Sequence, residues 1–405
     1  MVERNPDIAR LKEDYLFVEI ARRRDKVLAD QPHAQLINLG IGDTTEPIPH
    51  VIVEAFAEKA QKLGTFEGYT GYSDPLGHPV LLRKIGASIY SDRVSADDIF
   101  ISDGAKCDSG RLQLLFGRHC SMTIQDPSYP VYIAGGVMTG KTGEWRENPG
   151  RYRGIVYMPC SSENAFLPDL ETLPRTDLIY ICSPNNPTGA VLTRQQLERL
   201  VDHAHQRGSL IIFDSAYAAF IRDPSLPRSI YEIDGAEKVA IEIGSFSKSV
   251  GFTGVRLGWT VVPQQLCFAD GYSVQKDWIK IVTTFFNGAS NLAQAGGIAS
   301  LSDDGLSQSR KLCDYYLENA KILRRAVESK GYACFGGDHA PYLWVDVNGQ
   351  SSWDLFDRML CHAHIVTTPG VGFGPAGEGF LRLSAFGRRE HIIEAGKRLG
   401  KVLQF

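Results

Sequence analysis

The sequence has no Cys-x-x-Cys pair, no uninterrupted apolar run of membrane-spanning length, no basic recognition stretch, no internal repeat and no low-complexity linker. Each absence removes a class of protein. The eight cysteines are scattered, with Cys107, Cys160, Cys182 and Cys267 in mainly apolar surroundings; they read as reduced thiols in a cytoplasmic protein, not as a disulfide framework. Charged and polar residues interrupt every apolar segment, so no membrane helix is expected. A net charge of −4 gives no reason to expect nucleic acid or a membrane surface as partner. The opening Met1–Pro6 is polar and carries no secretory core. His203 and His205 lie two apart in a helical pattern and face different ways, whereas helical metal pairs need spacings of three or four, so no metal is expected.

What is present is organised around an alternation. Ile99–Ser102, 121–125, Leu178–Cys182, Leu210–Asp214, 239–244 and 257–262 read as short buried strands, with helical patterns such as 193–207 between them. That pattern predicts an α/β domain whose mostly parallel sheet is flanked by helices. A long charged amphipathic pattern over 306–330 leads into a compact α+β segment: strands at 342–347 and 379–385, helices at 352–362 and 388–402. A segment of one hundred residues has a thin core, so the first forty residues are expected to join it. The expected division is a large domain over 45–303 and a smaller α+β domain from 1–44 with 304–405.

The chemistry-bearing residues cluster where strands end, which is where open α/β sheets bind ligands. Lys248 stands in Ser245-Phe246-Ser247-Lys248-Ser249-Val250-Gly251-Phe252-Thr253-Gly254-Val255-Arg256-Leu257-Gly258-Trp259. A lysine nucleophile must be a free amine, which burial or nearby positive charge favours. Ser245, Ser247 and Arg256 supply donors for an anion. Asp103-Gly104-Ala105-Lys106 follows a strand and opens a helix, a second anion-binding signal that is weak alone and also reads as an ordinary turn. Asp214 ends an apolar strand; it reads either as a buried carboxylate awaiting a cationic partner or as a helix N-cap. Ser183-Pro184-Asn185-Asn186-Pro187-Thr188-Gly189 is good turn chemistry in its own right. Gly379-Phe380-Leu381-Arg382-Leu383-Ser384 places an arginine on a strand, where it can clamp a carboxylate or pair at the surface.

In this order the motifs resemble the fold-type I aminotransferases of class I/II over nearly the whole chain. The resemblance implies the cofactor pyridoxal 5′-phosphate (PLP), with Lys248 as the catalytic Schiff-base lysine. It implies phosphate contacts from Gly104, Ala105, Lys106, Ser245, Ser247 and Arg256. Asp214 would face the ring nitrogen, Asn186 and Tyr217 the phenolic oxygen, and Tyr129 of Asp126-Pro127-Ser128-Tyr129-Pro130 would stack on the ring. Arg382 would bind the substrate α-carboxylate. Tyr72 would reach the phosphate of a neighbouring subunit, which implies a homodimer with shared sites.

Four further segments resemble the LL-diaminopimelate aminotransferase family: 13–22, Phe66-Glu67-Gly68-Tyr69, 103–108 and Thr284-Phe285-Phe286-Asn287-Gly288-Ala289-Ser290-Asn291. Val18 stands where that family more often has proline. The resemblance implies amino transfer between glutamate and L-tetrahydrodipicolinate in lysine and cell-wall precursor synthesis. It adds Gly42 to the substrate residues. The second head group of diaminopimelate is a zwitterion, and charge complementarity suggests Glu67 for its ammonium, with Lys106, Asn287 and Tyr15 around its carboxylate. Aspartate, aromatic or broad-range aminotransferases share the cofactor residues and are the main alternative. A lyase on the same fold is a second. A ligand-binding transcription regulator is a third, which the missing basic stretch disfavours.

Overall fold

A computed structural model of the chain describes residues 1–11, 16–147, 150–171 and 173–403, the Phe17 side chain excepted. Seven strands form the larger sheet: β1 Ile99–Ser102, β2 Met122–Asp126, β3 Ile155–Pro159, β4 Leu178–Cys182, β5 Leu210–Asp214, β6 Ala240–Ser245 and β7 Gly258–Val261. Their order is β1-β7-β6-β5-β4-β2-β3. All neighbours are parallel except β7, which runs antiparallel to both β1 and β6. The sequence pattern gave six of these strands to within a residue. It missed β3, an edge strand with two half-buried positions and a terminal proline, which lacks the continuous apolar run of the central strands.

Side chains alternate to two buried faces. Ile179, Ile181, Ile211 and Phe213 face one apolar cluster, while Leu178, Tyr180, Cys182 and Ile212 face another. Helices cover both. The helix Arg194–Arg207 is typical: Thr193 accepts a hydrogen bond from the Gln196 amide in a capping box, Leu197, Leu200, Val201 and Ala204 point inward, and Gly208 ends it at φ 64°.

A second, antiparallel sheet contains β8 Cys334–Gly336, β9 Tyr342–Asp346, β10 Thr368–Pro369 and β11 Phe380–Ser384, in the order β8-β9-β11-β10. It has its own apolar cluster, which includes Leu343, Trp344, Leu381 and Leu383. The helix Leu16–Asp30 adds Leu16, Ile20 and Val27 to this cluster, and Ile37–Asn38 pairs with Ile365–Val366. The first ten residues go the other way. Asp7 meets Arg118 at 3.2 Å, and the Arg10 carbonyl accepts from the Tyr152 hydroxyl.

The 26-residue helix Asp303–Glu328 links the two sheets. Ser302 caps its start through the Gly305 amide. Leu312, Cys313, Tyr316 and Leu317 pack with Tyr217, Phe220, Tyr342 and Phe386, and one turn later Ala320, Leu323 and Val327 enter the second cluster. No helix among the described residues is long and apolar enough to cross a membrane.

Thr193→Ala removes the cap of a helix that covers the larger sheet. It is expected to cost about 1 kcal/mol of stability, read by calorimetry as a lower thermal midpoint.

Candidate active site

The sheet register decides which loops meet. Cys182 lies opposite Asp214, Asp214 opposite Ile243, and Gly258 opposite Ser245. The carboxyl ends of β1, β4, β5 and β6 and the start of β7 therefore share one edge. There they open onto a cavity of about 470 Å³.

At one end of the cavity β1 stops at Ser102, and Gly104, at φ 123°, turns the chain into the helix Ala105–Leu112. The first-turn amides of such a helix have no intrahelical acceptor. Arg256 presses against Gly104 so closely that a Cβ there would overlap its guanidinium. The same guanidinium donates to Ser247 Oγ at 3.3 Å and to the Thr253 carbonyl at 3.0 Å. Ser245 Oγ accepts from the Ser247 amide. Two hydroxyls, a guanidinium and a helix start thus converge, a donor set that suits a phosphate.

Asp214 lies on the cavity wall and is buried. Its carboxylate accepts from the Tyr132 hydroxyl at 2.6 Å and the Ala216 amide at 3.0 Å, both neutral donors. Burial pushes its pKa up. A protonated ring nitrogen in the cavity would meet a carboxylate still in need of positive charge. Tyr129 also lines the cavity, beside Tyr132.

Lys248, half-buried, follows β6 by three residues and donates from Nζ to the Gly42 carbonyl. Burial, then the positive charges of Arg382 and Arg256, bring its pKa down to about 8 against the pull of Asp43. The amine is therefore half deprotonated near pH 8, where an ordinary lysine is almost wholly protonated. Across the cavity Arg382 arrives on β11 from the smaller sheet. It is 3% exposed and sits between the rings of Tyr342 and Phe373, at 4.6 and 4.8 Å. Nη1 donates to Asn186 Oδ1 at 2.7 Å, Nη2 donates to the Gly40 carbonyl, and Nε is buried without an acceptor among the described residues.

The structure brings Gly42, Ala105, Lys106, Tyr129, Asn186, Asp214, Tyr217, Ser245, Ser247, Lys248, Arg256 and Arg382 to this one cavity. Gly104 lies just behind, against Arg256. Glu67, Tyr72 and Asn287 are not brought to it: all three are exposed elsewhere on the chain. Tyr15 lies outside the described residues. Sequence reasoning missed Tyr132 and Tyr342. Tyr132 could have been found, since it follows Tyr129 by three residues at a helix start. Tyr342 carries no local signal; it is one aromatic in an apolar strand.

Taken together, these groups match a planar aldehyde with a phosphate at one end and a basic ring nitrogen along it, plus a carboxylate-bearing amine. Residues 34–399 match the family described as Aminotransferase class I and II. The chain belongs to that family. A rice (Oryza sativa subsp. japonica) protein named probable LL-diaminopimelate aminotransferase, chloroplastic, is 54% identical over 99% of this chain and 86% of its own length. The LL-diaminopimelate aminotransferase of Protochlamydia amoebophila is 51% identical over 100% of this chain and 98% of its own. The solved L,L-diaminopimelate aminotransferase from Chlamydomonas reinhardtii superposes with a TM-score of 0.95 at 50% identity, covering 99% of this chain and 98% of that one. The aminotransferase fold is thus fold type I, as its motifs imply.

The lowered pKa of Lys248 has a direct consequence. Only the free amine attacks an aldehyde, so in the ligand-free enzyme borohydride trapping of a simple aldehyde at Lys248 is expected to rise with pH through about 8. Peptide mass spectrometry reads the site. A midpoint near that of an ordinary lysine, about 10.4, would contradict the assignment.

Proposed function

We propose that this chain is a PLP-dependent aminotransferase that moves an amino group between glutamate and the ring-opened form of L-tetrahydrodipicolinate. The products are LL-2,6-diaminopimelate and 2-oxoglutarate. The observation that carries the reading is the cavity in which Lys248, Asp214, Arg256 and Arg382 converge, joined to 51–54% identity along this whole chain with proteins of that name.

Ser245, Ser247, Arg256 and the amides of Ala105 and Lys106 would hold the cofactor phosphate. Asp214 would hold the ring nitrogen, Tyr129 the ring face, and Asn186 with Tyr217 the phenolic oxygen. When bound, PLP withdraws electrons from the substrate Cα. Lys248 Nζ, which lies in the same cavity, would move the proton at that carbon as general base and acid. Arg382 holds the α-carboxylate through the capacity left at its guanidinium, notably Nε, and fixes the substrate's orientation. Because Asn186 already binds Arg382, substrate capture acts on a residue that also serves the cofactor.

Diaminopimelate carries a second amino-acid head group, which requires both signs of charge. Lys106, exposed at the cavity mouth, suits its carboxylate. We assign Glu67 to its ammonium and Asn287 and Tyr15 to its carboxylate end. Glu67, Tyr72 and Asn287 lie away from their own chain's cavity, on a surface that also exposes Phe66, Tyr69 and Phe285. Ser73 Oγ bonds the Ala289 carbonyl at 2.5 Å and Asn291 bonds the Gly71 carbonyl at 3.0 Å, so the two segments form one surface. Clustered exposed aromatics of this kind favour burial against another chain. The reading is a homodimer in which these three residues complete the partner's cavity.

The test is a spectral half-reaction without any oxo acid. LL-diaminopimelate and glutamate are expected to convert the cofactor to its amine form, and lysine is not. Lys248→Ala is expected to abolish conversion. Glu67→Gln is expected to slow diaminopimelate by about 10- to 100-fold, the loss of a charged hydrogen bond, and to leave glutamate nearly unaffected. Equal losses with both donors would remove the assignment of Glu67. Conversion with aspartate or an aromatic amino acid, and none with diaminopimelate, would replace the substrate.

A further inference from the structure

Tyr342 opens β9 and is 1% exposed. Three functional groups meet on it. Its hydroxyl oxygen lies 2.7 Å from that of Tyr217. Its ring lies under the Arg382 guanidinium at 4.6 Å. Its hydroxyl also fills the space beside Gly42, where a Cβ would overlap it. The antiparallel pairing of β9 with β11, Trp344 opposite Arg382 and Tyr342 opposite Ser384, fixes that position. Tyr217 comes from the larger sheet, so the phenol pair bridges the two sheets.

A phenol has one proton to donate. In the reading above Tyr217 gives its proton to the cofactor's phenolic oxygen. Its contact with Tyr342 then has a single possible polarity: Tyr342 donates and Tyr217 accepts. Such donation polarises the Tyr217 O–H and strengthens its hold on the cofactor oxygen. Negative charge held there by Tyr217 is less available to retain a proton on Lys248 Nζ.

We propose that Tyr342 is a positioning residue, which sets the proton affinity of Lys248 Nζ in the cofactor-bound enzyme by donating to Tyr217 while its ring supports Arg382. The proposal rests on the function assigned above and extends it to a residue that acts through Tyr217 and Arg382. It also gives the two faces of one side chain separate effects. The hydroxyl acts on the proton at Lys248, and the ring acts on carboxylate binding.

Tyr342→Phe removes the hydroxyl and keeps the ring. In the PLP-bound enzyme without substrate, the pH midpoint of the visible cofactor absorbance is expected to rise by about half a pH unit, the scale of one neutral hydrogen bond. The KM for glutamate is expected to change little. Tyr342→Ala removes the ring as well, and KM for glutamate is expected to rise on the order of tenfold. A second comparison guards against a general structural effect. In a Tyr217→Phe background the Tyr342→Phe change is expected to add no further shift. A Tyr342→Phe midpoint equal to that of the parent enzyme, at unchanged thermal midpoint, overturns the proposal, and so do additive shifts in the double variant. A parent enzyme whose absorbance does not depend on Lys248 overturns the cofactor reading itself, and this inference with it.

Discussion

Strands β5 and β6 run parallel with Asp214 opposite Ile243, and antiparallel β7 sets Gly258 opposite Ser245. This alignment fixes how far each loop projects into the cavity. A shift of one residue in β6 would turn Ser245 and the lysine loop toward the opposite face. It would also separate Arg256 from Gly104, where the guanidinium already approaches the backbone as closely as glycine permits. The extensive apolar burial on both faces of the sheet is what makes such a slip unfavourable. The chemistry of the edge therefore depends on packing in the interior.

Arg382 is the reverse case, a group whose position depends on two bodies at once. Its strand belongs to the smaller sheet, its Nη1 partner Asn186 to the loop after β4, and its Nη2 partner Gly40 to the chain that follows the helix Leu16–Asp30 and the segment Ile37–Asn38. A buried guanidinium is costly unless its donors are satisfied. Here both terminal nitrogens have acceptors, and Nε is the nitrogen without one among the described residues, which leaves it for a carboxylate. The same residue thus joins the sheets and retains capacity for a ligand. The long helix Asp303–Glu328 supports the arrangement by contributing to the apolar cluster around Tyr217 and Tyr342 and then to the core of the smaller sheet.

Much of this was legible in the chain. Continuous apolar strands bounded by turn residues announce their own ends, so Asp103, Asn186, Asp214 and Lys248 could be assigned to strand ends, where ligands bind, from the chain alone. The edge strand β3 and the antiparallel direction of β7 could not, because pairing direction leaves little trace in local composition. Asp214 read as a buried carboxylate in need of a cationic partner, and its two donors among the described residues are neutral, which leaves that demand to a ligand. Glu67, Tyr72 and Asn287 were recognisable as residues of interest, yet nothing local says that they face away from their own cavity.

By itself the sequence determined the residue types and their order: an amine in a Ser/Gly-rich loop, a strand-end carboxylate, a glycine before a helix, an arginine on a late strand. Those follow from local chemistry, which spacing and composition record. Only the tertiary structure decided the contacts between distant segments: the phenol pair of Tyr217 and Tyr342, 125 residues apart, the stacking of Arg382, and the lowered pKa of Lys248. Each of these depends on desolvation and on distances between separate elements, and both exist only once the two sheets have packed.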